Sequence, residues 1–533
     1  MKVLLLGGYG VFGGRLALLL VRDGHLVTIA GRDLTAARLL AEKLGCSALC
    51  MDRNGDLTEL YGYEVVIDAA GPFQAYGDDP YRMARAAIAA GAHYLDLSDS
   101  AAFCTGITAL DADARSTGLC VLSGVSSVPA ISSAAVRALT GDQVPRVIDT
   151  AILPGNRSPR GLSVMQSILS QAGKPMRVWR GGAWTPATGW SDPQDYRLPG
   201  GLRRQAWQIE VPDQTLFPAH FRAETVLFRA GLELAIMRYG LAAFAMLQRL
   251  FPIPVSKPVV RAFKLVANLL SPFGSGKGGM SVMVITNHER KVWRLLAEEG
   301  EGPFIPGVAA RALLRRKSLP AGAGPALSVV TLDECEAAMQ DLKVRTEQVS
   351  ERFEPIFVQV LGSSFGQLPK EIQMTHLTAD ISRWRGRAKI RRGTSLWSRA
   401  LCRLFGFPAA ADDTVAEVIK RVVPTGEVWQ RFFGPSRFAS KLAATTSGMT
   451  ERFGPFTFRL GLVVKDEALH YPVISGRLGP LPLPKWLLPV SEAREYVADG
   501  LFHFDVKLSA PIVRDLLVHY TGTLAAASES VVP

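Results

Sequence analysis

Along the first 123 residues, short apolar runs alternate with amphipathic stretches. Val3–Leu6, Val27–Ala30, Ala48–Met51, Val65–Ala69, Tyr94–Leu97 and Cys120–Ser123 read as strands, and Arg15–Asp23, Leu34–Leu44 and Pro80–Ala90 as helices between them. Glycine-bounded strands alternating with helices predict a parallel sheet covered on both faces. From about 124 to 345, glycine, proline and tryptophan are frequent. There the strand-like runs Asp149–Leu153, Val282–Thr286 and Ser328–Leu332 sit among helical segments. The polar stretch Lys343–Arg352 reads as a boundary. Beyond it, period-two alternation in Ile381–Arg391, Ala416–Val423, Phe456–Val464 and Phe502–Leu508 predicts strands. The proline cluster in Gly476–Pro489 must be loop or sheet edge, and Ala525–Pro533 reads as a disordered tail. The predicted fold class is therefore α/β in three parts. A Rossmann-type doubly wound parallel sheet spans 1–125, an α+β substrate or capping domain spans 126–345, and a β-rich domain spans 353–524.

Gly8-Tyr9-Gly10-Val11-Phe12-Gly13 lies between the first strand and the first helix. Each glycine has a physical reason: the first for the tight turn, the second for close approach of the pyrophosphate, the third for helix–strand packing. Phosphates would then sit on the helix N-terminus, where free N–H groups and the dipole favour negative charge. Gly8, Tyr9, Gly10, Val11, Phe12 and Gly13 are accordingly candidate cofactor residues. The end of the second strand chooses between NAD and NADP. An acidic residue there would hold the ribose 2′-OH, but this chain has Ala30-Gly31-Arg32-Asp33. Arg32 offers a cation and a planar face to a 2′-phosphate, so NADP(H) is favoured over NAD(H). Asp33 reads as a helix cap, and Asp52 either bonds the adenine amine or is a solvated loop carboxylate.

Composition adds bounds. The 533 residues exceed one hydrophobic core, and 48% hydrophobic with 20% charged residues is ordinary for globular protein. The six cysteines (Cys46, Cys50, Cys104, Cys120, Cys335, Cys402) have neither redox nor zinc spacing, so free thiols and no metal are expected. A strand begins almost at Met1 with no signal-peptide pattern, which predicts a cytoplasmic protein. The net charge of +12 suits anionic cofactors and substrates as well as lipid, and nucleic acid is not expected.

Further along, Asp68-Ala69-Ala70-Gly71-Pro72-Phe73, then Gly77, Gly91-Ala92-His93-Tyr94-Leu95-Asp96-Leu97-Ser98 and Ser123-Gly124-Val125-Ser126-Ser127-Val128-Pro129 make a recognisable pattern. It resembles the saccharopine dehydrogenase-like oxidoreductases. The resemblance implies NADP-binding at the N-terminus, with Ala70, Gly71, Pro72 and Phe73 on the nicotinamide side and the strand ending at Asp96 and Ser98 facing the crevice. Pro154-Gly155-Asn156, Gly189–Asp192 and Ala230–Glu233 look like the middle region of uncharacterised bacterial members. The segments Trp429–Arg431, Glu451–Pro455 and Asp499–Val506 resemble a domain of unknown function fused to such dehydrogenases.

Asp96, Ser98 and Asp99 are the candidate catalytic groups, because two close carboxylates can hold different protonation states. The alternative is that Asp99 caps the helix beginning at Ser100. His93 reads as structural and His220 as a packing residue. Arg203 and Arg204 would meet an anionic substrate or stay solvated, and Gly274–Gly279 reads as a flexible turn. Helix Leu232–Phe251 is too interrupted by charge to span a bilayer. Lys257–Leu270 is amphipathic: Val259, Val260, Phe263, Val266, Ala267 and Leu270 share a face. The segment 232–270 therefore suits peripheral membrane contact or a lipid-like substrate, with core or homodimer packing as the alternative. Arg383, Arg385, Arg387, Lys389 and Arg391 should project from one strand face. The leading functional expectation is an NADP(H)-dependent oxidoreductase of a small-molecule, hydrophobic or lipid-linked substrate. The alternatives are a non-catalytic NADP(H) sensor or a lipid-binding protein using its C-terminal domain.

Overall fold

The computed structural model describes residues 1–527 apart from Arg160, Pro252, His288 and Ser447. In the first domain β1 (Lys2–Leu6), α1 (Gly13–Arg22), β2 (Leu26–Gly31), α2 (Leu34–Leu44), β3 (Ser47–Cys50), β4 (Val65–Asp68), α3 (Arg82–Ala89), β5 (His93–Asp96), α4 (Ala101–Gly106), α5 (Asp111–Ser116) and β6 (Cys120–Ser123) follow in order. All the strands are parallel, in the order β6-β5-β4-β1-β2-β3. The strands are apolar on both faces because helices cover both; Val3, Leu5, Val65 and Leu95 have no solvent exposure.

The middle region comprises α6 (Ser132–Thr140), β7 (Val147–Leu153), α7 (Leu162–Gln171), β8 (Pro175–Trp179), β9 (Trp184–Thr188), β10 (Gln194–Arg197), β11 (Arg203–Gln208), α8 (Pro212–Phe221), β12 (Thr225–Gly231), α9 (Ala235–Leu250), α10 (Lys257–Leu270), β13 (Gly278–Ile285), β14 (Glu289–Ala297), α11 (Ile305–Leu314), β15 (Gly322–Pro325), α12 (Leu332–Ala337) and β16 (Val344–Arg352). Its sheet runs β10-β11-β12-β7-β13-β14-β16. Two sequence expectations change here. The polar stretch is no loop: Val344–Arg352 is the edge strand β16, polar because its side chains are largely exposed. Ser328–Leu332 is not a strand, for Thr331 caps α12 in a capping box with Glu334.

The chain then returns to the first domain. β15 pairs with β6 as the seventh strand of the parallel sheet. Helix α11 lies on α1: Arg311 reaches Asp23 (2.7 and 2.9 Å) and Asp341, and Arg315 adds two bonds to Asp23 (2.8 and 2.9 Å). One apolar core takes in Leu5 and Leu16 of the first domain, Val282 and Trp293 of the second sheet, and Val308 and Leu313 of α11. The first two regions are thus fused through a common interior.

After α13 (Ile356–Leu361) and α14 (Lys370–His376) the C-terminal domain is built from β17 (Ile381–Arg392), α15 (Leu396–Phe405), β18 (Ala411–Val423), β19 (Gly426–Phe433), β20 (Ser436–Thr445), β21 (Gly448–Phe453), β22 (Phe456–Leu460), β23 (Val463–Lys465), β24 (Ala468–His470), β25 (Val473–Leu478), β26 (Leu481–Leu483), β27 (Val490–Ala498), β28 (Leu501–Ser509) and β29 (Leu516–Ala526). Every pairing in this sheet is antiparallel. The single run 468–478 pairs with β27 through β24 and with β22 through β25, so the ladder returns on itself as a barrel. Trp384, Ala388 and Ile390 of β17 point inward. Arg385, Arg387, Lys389 and Arg391 point to solvent, as alternation requires, with Arg387 and Lys389 paired to Asp413 and Asp412. The proline-rich segment forms the β25–β26 hairpin at the sheet edge. Of the expected tail, Ala525 and Ala526 end β29, while 528–533 lie outside the described residues. The barrel has its own core and docks on the middle domain through Arg180, bidentate to Asp380 at 2.7 Å.

Candidate active site

The glycine loop is shaped by backbone proximity. A Cβ on Gly13 would lie 2.4 Å from the Gly7 carbonyl oxygen, and one on Gly8 would lie 2.8 Å from that of Leu5. Only hydrogen fits, so α1 starts tightly against β1. The positive φ of the turn (72°) falls on Gly7, one residue before the position expected from the motif. Gly7 itself abuts the backbone of Ala69 and Ala70, which brings the loop and the β4 turn together. No side chain caps α1; the Gly14 N–H goes to the Gly10 carbonyl (2.9 Å), and the positive end of the helix dipole stays open to an anion.

Around this loop, Tyr9 crosses the end of β2. Its ring packs on Gly31 and its hydroxyl accepts a hydrogen bond from the Asp33 N–H (3.2 Å). Val11 and Phe12 are half-buried, and Gly10 is exposed. Asp33 caps α2 by accepting from the Ala36 N–H at 3.0 Å, as read from the sequence. Arg32 is exposed at the strand end with its guanidinium free of hydrogen bonds among the described residues. Asp52 is exposed and accepts a turn hydrogen bond from the Asn54 N–H (3.0 Å). These residues fit a dinucleotide: a cradle that a Cβ would fill, an uncapped helix and a free cation at the ribose end.

In the turn that the family resemblance assigns to the nicotinamide side, Ala70, Gly71 and Pro72 keep partial exposure. The Phe73 ring is buried in an aromatic cluster with Tyr76 and Phe103 (5.0 and 5.1 Å) and backs onto Gly71, whose Cβ would stand 3.5 Å from it. Asp68 is fully buried and accepts from the Ala70 N–H (3.0 Å) and the Tyr76 hydroxyl (3.1 Å); burial holds its carboxyl above the usual range. Arg53, passed over in the sequence beside Asp52, lies flat on the Tyr76 ring, with Nε and one terminal nitrogen buried and unpartnered among the described residues. The signal was a second arginine just past a strand end.

The three catalytic candidates separate. One oxygen of Asp96 accepts from the Ser98 N–H, the Ser123 hydroxyl and the Gly124 N–H, each at 2.9 Å. Burial pushes its pKa up to about 7 against these bonds. Asp96 thereby ties β5 to the turn after β6. Ser98 is buried and its hydroxyl accepts from the Ser100 N–H (3.1 Å). Asp99 is free of the capping role, because Ser100 caps α4 instead. Its side chain reaches solvent, yet desolvation by its surroundings holds its carboxyl above the usual range.

Asp213, at the start of α8, was not read from the sequence. It is fully buried, neither oxygen has a hydrogen-bond partner among the described residues, and burial raises its pKa to about 8. The adjacent Ser132 hydroxyl gives its proton to the Pro129 carbonyl (3.2 Å). Asp213 lies beside the Ser127–Ser132 turn, where burial disfavours its charged form. His220 is exposed, 3.2 Å from the Ser328 hydroxyl.

Other motif residues prove architectural. Glu233 accepts from the Asn156 N–H, the Ser275 N–H and hydroxyl, and Arg204, at 2.7 to 2.9 Å. The Gly274–Gly279 segment is thus pinned, where a flexible turn was expected, and Arg204 is committed to an ion pair. Among the described residues no cluster suits a metal, and all six cysteines are free thiols.

Helices α7, α9 and α10 form a lobe beside the loop; Gly161, which opens α7, faces Val11. Val260 and Ala267 are buried, but Val266 of the same apolar face is 51% exposed. Leu265 and Leu269, Ile236, Met246 and Leu250 of α9, Phe251 just after it, and Phe273 are exposed as well. From Leu234 to Lys277 the chain holds six cations and no carboxylate. Among the described residues no helix is long and apolar enough to cross a membrane.

Residues 3–122 match the family model described as the saccharopine dehydrogenase NADP binding domain, and residues 368–524 match a domain of unknown function, DUF4166. Both resemblances read from the sequence are thus found. Among solved structures, the chain is similar to apo saccharopine dehydrogenase (L-Glu forming) from Saccharomyces cerevisiae. That match has 14% identity and a TM-score of 0.46, and covers 65% of this chain and 99% of that one. It is also similar to the WlbA (WbpB) dehydrogenase from Thermus thermophilus, solved with NAD and UDP-GlcNAcA (14% identity, TM-score 0.30, covering 64% and 93%). No curated protein matches the chain.

Proposed function

We propose that this protein is an NADP(H)-dependent oxidoreductase acting on an apolar, lipid-like substrate at a membrane surface. The observation that carries the reading is the side-chain-free cradle of Gly8 and Gly13 before an uncapped α1, with Arg32 free at the end of β2. The bound cofactor would supply hydride transfer at its nicotinamide. The helix N–H groups would hold the pyrophosphate, and Arg32 the 2′-phosphate. The Ala70–Pro72 turn would position the nicotinamide side. Asp99, accessible and with a raised pKa, exchanges the proton that accompanies hydride transfer, while Asp96 keeps its strand end in place. Support for an apolar substrate comes from the lobe beside the loop, where exposed leucines lie among cations without carboxylates.

The test is oxidation of NADPH against lipid-soluble carbonyl, imine and enoyl compounds presented in anionic vesicles. Turnover with at least one class, faster on vesicles than in detergent, is expected. Binding of NADPH without turnover of any class would replace the enzyme reading with that of a sensor.

A further inference from the structure

The C-terminal barrel encloses a cavity of about 170 Å³, in the size range of an engineered apolar cavity of about 150 Å³ that stays dry and binds benzene. Strands from around the whole ring line it, among them Trp384 of β17, Trp429 and Phe433 of β19, Phe458 of β22, Phe504 of β28 and Tyr520 of β29. A small closed barrel can hold one ligand among its inward side chains. Its outer face carries the charges of β17, so the interior is the apolar surface.

The wall is not wholly apolar, and its polar groups define what fits. Lys420, Arg431, Glu451 and Glu495 all reach the cavity. Arg431 pairs with Glu451 at 3.1 Å, and both bond the Ser440 hydroxyl. Glu495 accepts from His376 (2.5 Å) and the Tyr471 hydroxyl (2.8 Å). Lys420 lies 4.0 Å over the Trp429 ring and donates to the Thr375 carbonyl (2.5 Å), with His376 Nδ1 at 3.4 Å. Every charge already has an opposite charge or a polar partner. An anionic head would have to displace Glu451 or Glu495, and a cationic head would face Lys420 and Arg431. Breaking a buried pair is strongly unfavourable. An ammonium has three protons, however, and beside the Trp429 ring Lys420 has two hydrogen-bond partners among the described residues. One N–H remains for an uncharged oxygen.

We propose that the barrel interior is a binding site for a neutral, ring-bearing apolar molecule whose single hydroxyl or carbonyl oxygen meets the Lys420 ammonium. The barrel has a separate core from the nucleotide domain, so this inference stands or falls apart from the proposed reaction.

The test titrates the full-length protein calorimetrically with 4-phenylbutan-1-ol, butylbenzene, 4-phenylbutyrate and 4-phenylbutylamine, with tryptophan fluorescence followed in parallel. The alcohol is expected to bind at least tenfold more tightly than either ion and more tightly than butylbenzene, with a fluorescence change from Trp384 and Trp429. Lys420→Met should bring the alcohol and butylbenzene to equal affinity. Val418→Phe and Val506→Phe, each narrowing the cavity from a different strand, should weaken both at least tenfold while NADPH titration stays unchanged. Absence of binding by the alcohol, or an ion binding as well as the alcohol, overturns the proposal on the unaltered protein alone. Undiminished binding in both folded valine variants would place the ligand elsewhere and overturn it too.

Discussion

Replacing Gly13 with alanine adds one methyl group at the point where α1 meets β1. That carbon would stand 2.4 Å from the Gly7 carbonyl oxygen and 3.0 Å from the Gly8 Cα. Ordinary contact needs about 3.5 Å, so the overlap is about 1 Å, and it is against backbone that no rotamer change can relieve. The helix must back away by that amount, carrying its first N–H groups with it. Overpacking of this kind costs about 1–3 kcal/mol of stability. A displaced phosphate contact forfeits a charge-assisted hydrogen bond of about 1.5–3 kcal/mol, or roughly 10- to 150-fold in Kd. Gly14→Ala is the matched control. Its Cβ would meet chiefly the Leu40 Cδ2 at 3.2 Å, a side-chain end that can move. Calorimetric titration with NADPH, alongside thermal melts, should show Gly13→Ala weakened at least tenfold and Gly14→Ala close to the unaltered protein. Equal affinities in all three would refute the account of the loop as the pyrophosphate cradle.

Other outcomes follow from the same geometry. Asp99→Asn should lower kcat by roughly 10²- to 10⁴-fold with KM little changed, and should erase a pH–rate limb lying above the ordinary carboxylate pKa of about 3.9; an unchanged profile would clear Asp99 of proton transfer. Arg311→Met should destabilise the protein by about 3 kcal/mol in urea melts, because it strips a buried guanidinium from Asp23 and Asp341. For Asp23, burial opposes ionisation but Arg315 and Arg311 outweigh it and hold the carboxyl well below the usual range. The stability it adds is therefore complete above about pH 4 and lost as pH falls further, and acid melts of the unaltered protein should show that loss. Leu250→Glu with Phe251→Glu should lower binding to phosphatidylserine vesicles at least tenfold, since burying each such side chain is worth about 1.5–3 kcal/mol; sedimentation with vesicles checks it.

The first sheet was legible because its strands are buried on both faces and carry continuous apolar runs, from Val3–Leu6 to Cys120–Ser123. The glycine loop was legible because close packing admits no other residue. β15 was not: Gly-Ala-Gly-Pro has no strand character, and only the β6 edge about 200 residues earlier makes it a strand. β16 was missed for the opposite reason, since an exposed edge strand keeps a polar sequence. Among site residues, Asp96 and Asp99 looked alike in sequence. Tertiary contacts separate them, burying one under three donors and leaving the other exposed. Asp213 gave no local signal, because its burial comes from tertiary packing. Barrel closure was equally hidden: it depends on a two-residue break at Tyr471–Pro472 that lets one run pair with both ends of the sheet.

The central claim is that the N-terminal domain binds NADP(H) through its glycine loop and Arg32, and it is tested most directly by calorimetric titration with NADPH, NADP⁺, NADH and NAD⁺ on the unaltered protein and on Arg32→Ala. The account predicts tight binding of the phosphorylated pair, with their advantage over NADH and NAD⁺ abolished by the substitution. Failure of all four to bind, or a preference for NADPH that survives Arg32→Ala, would contradict it.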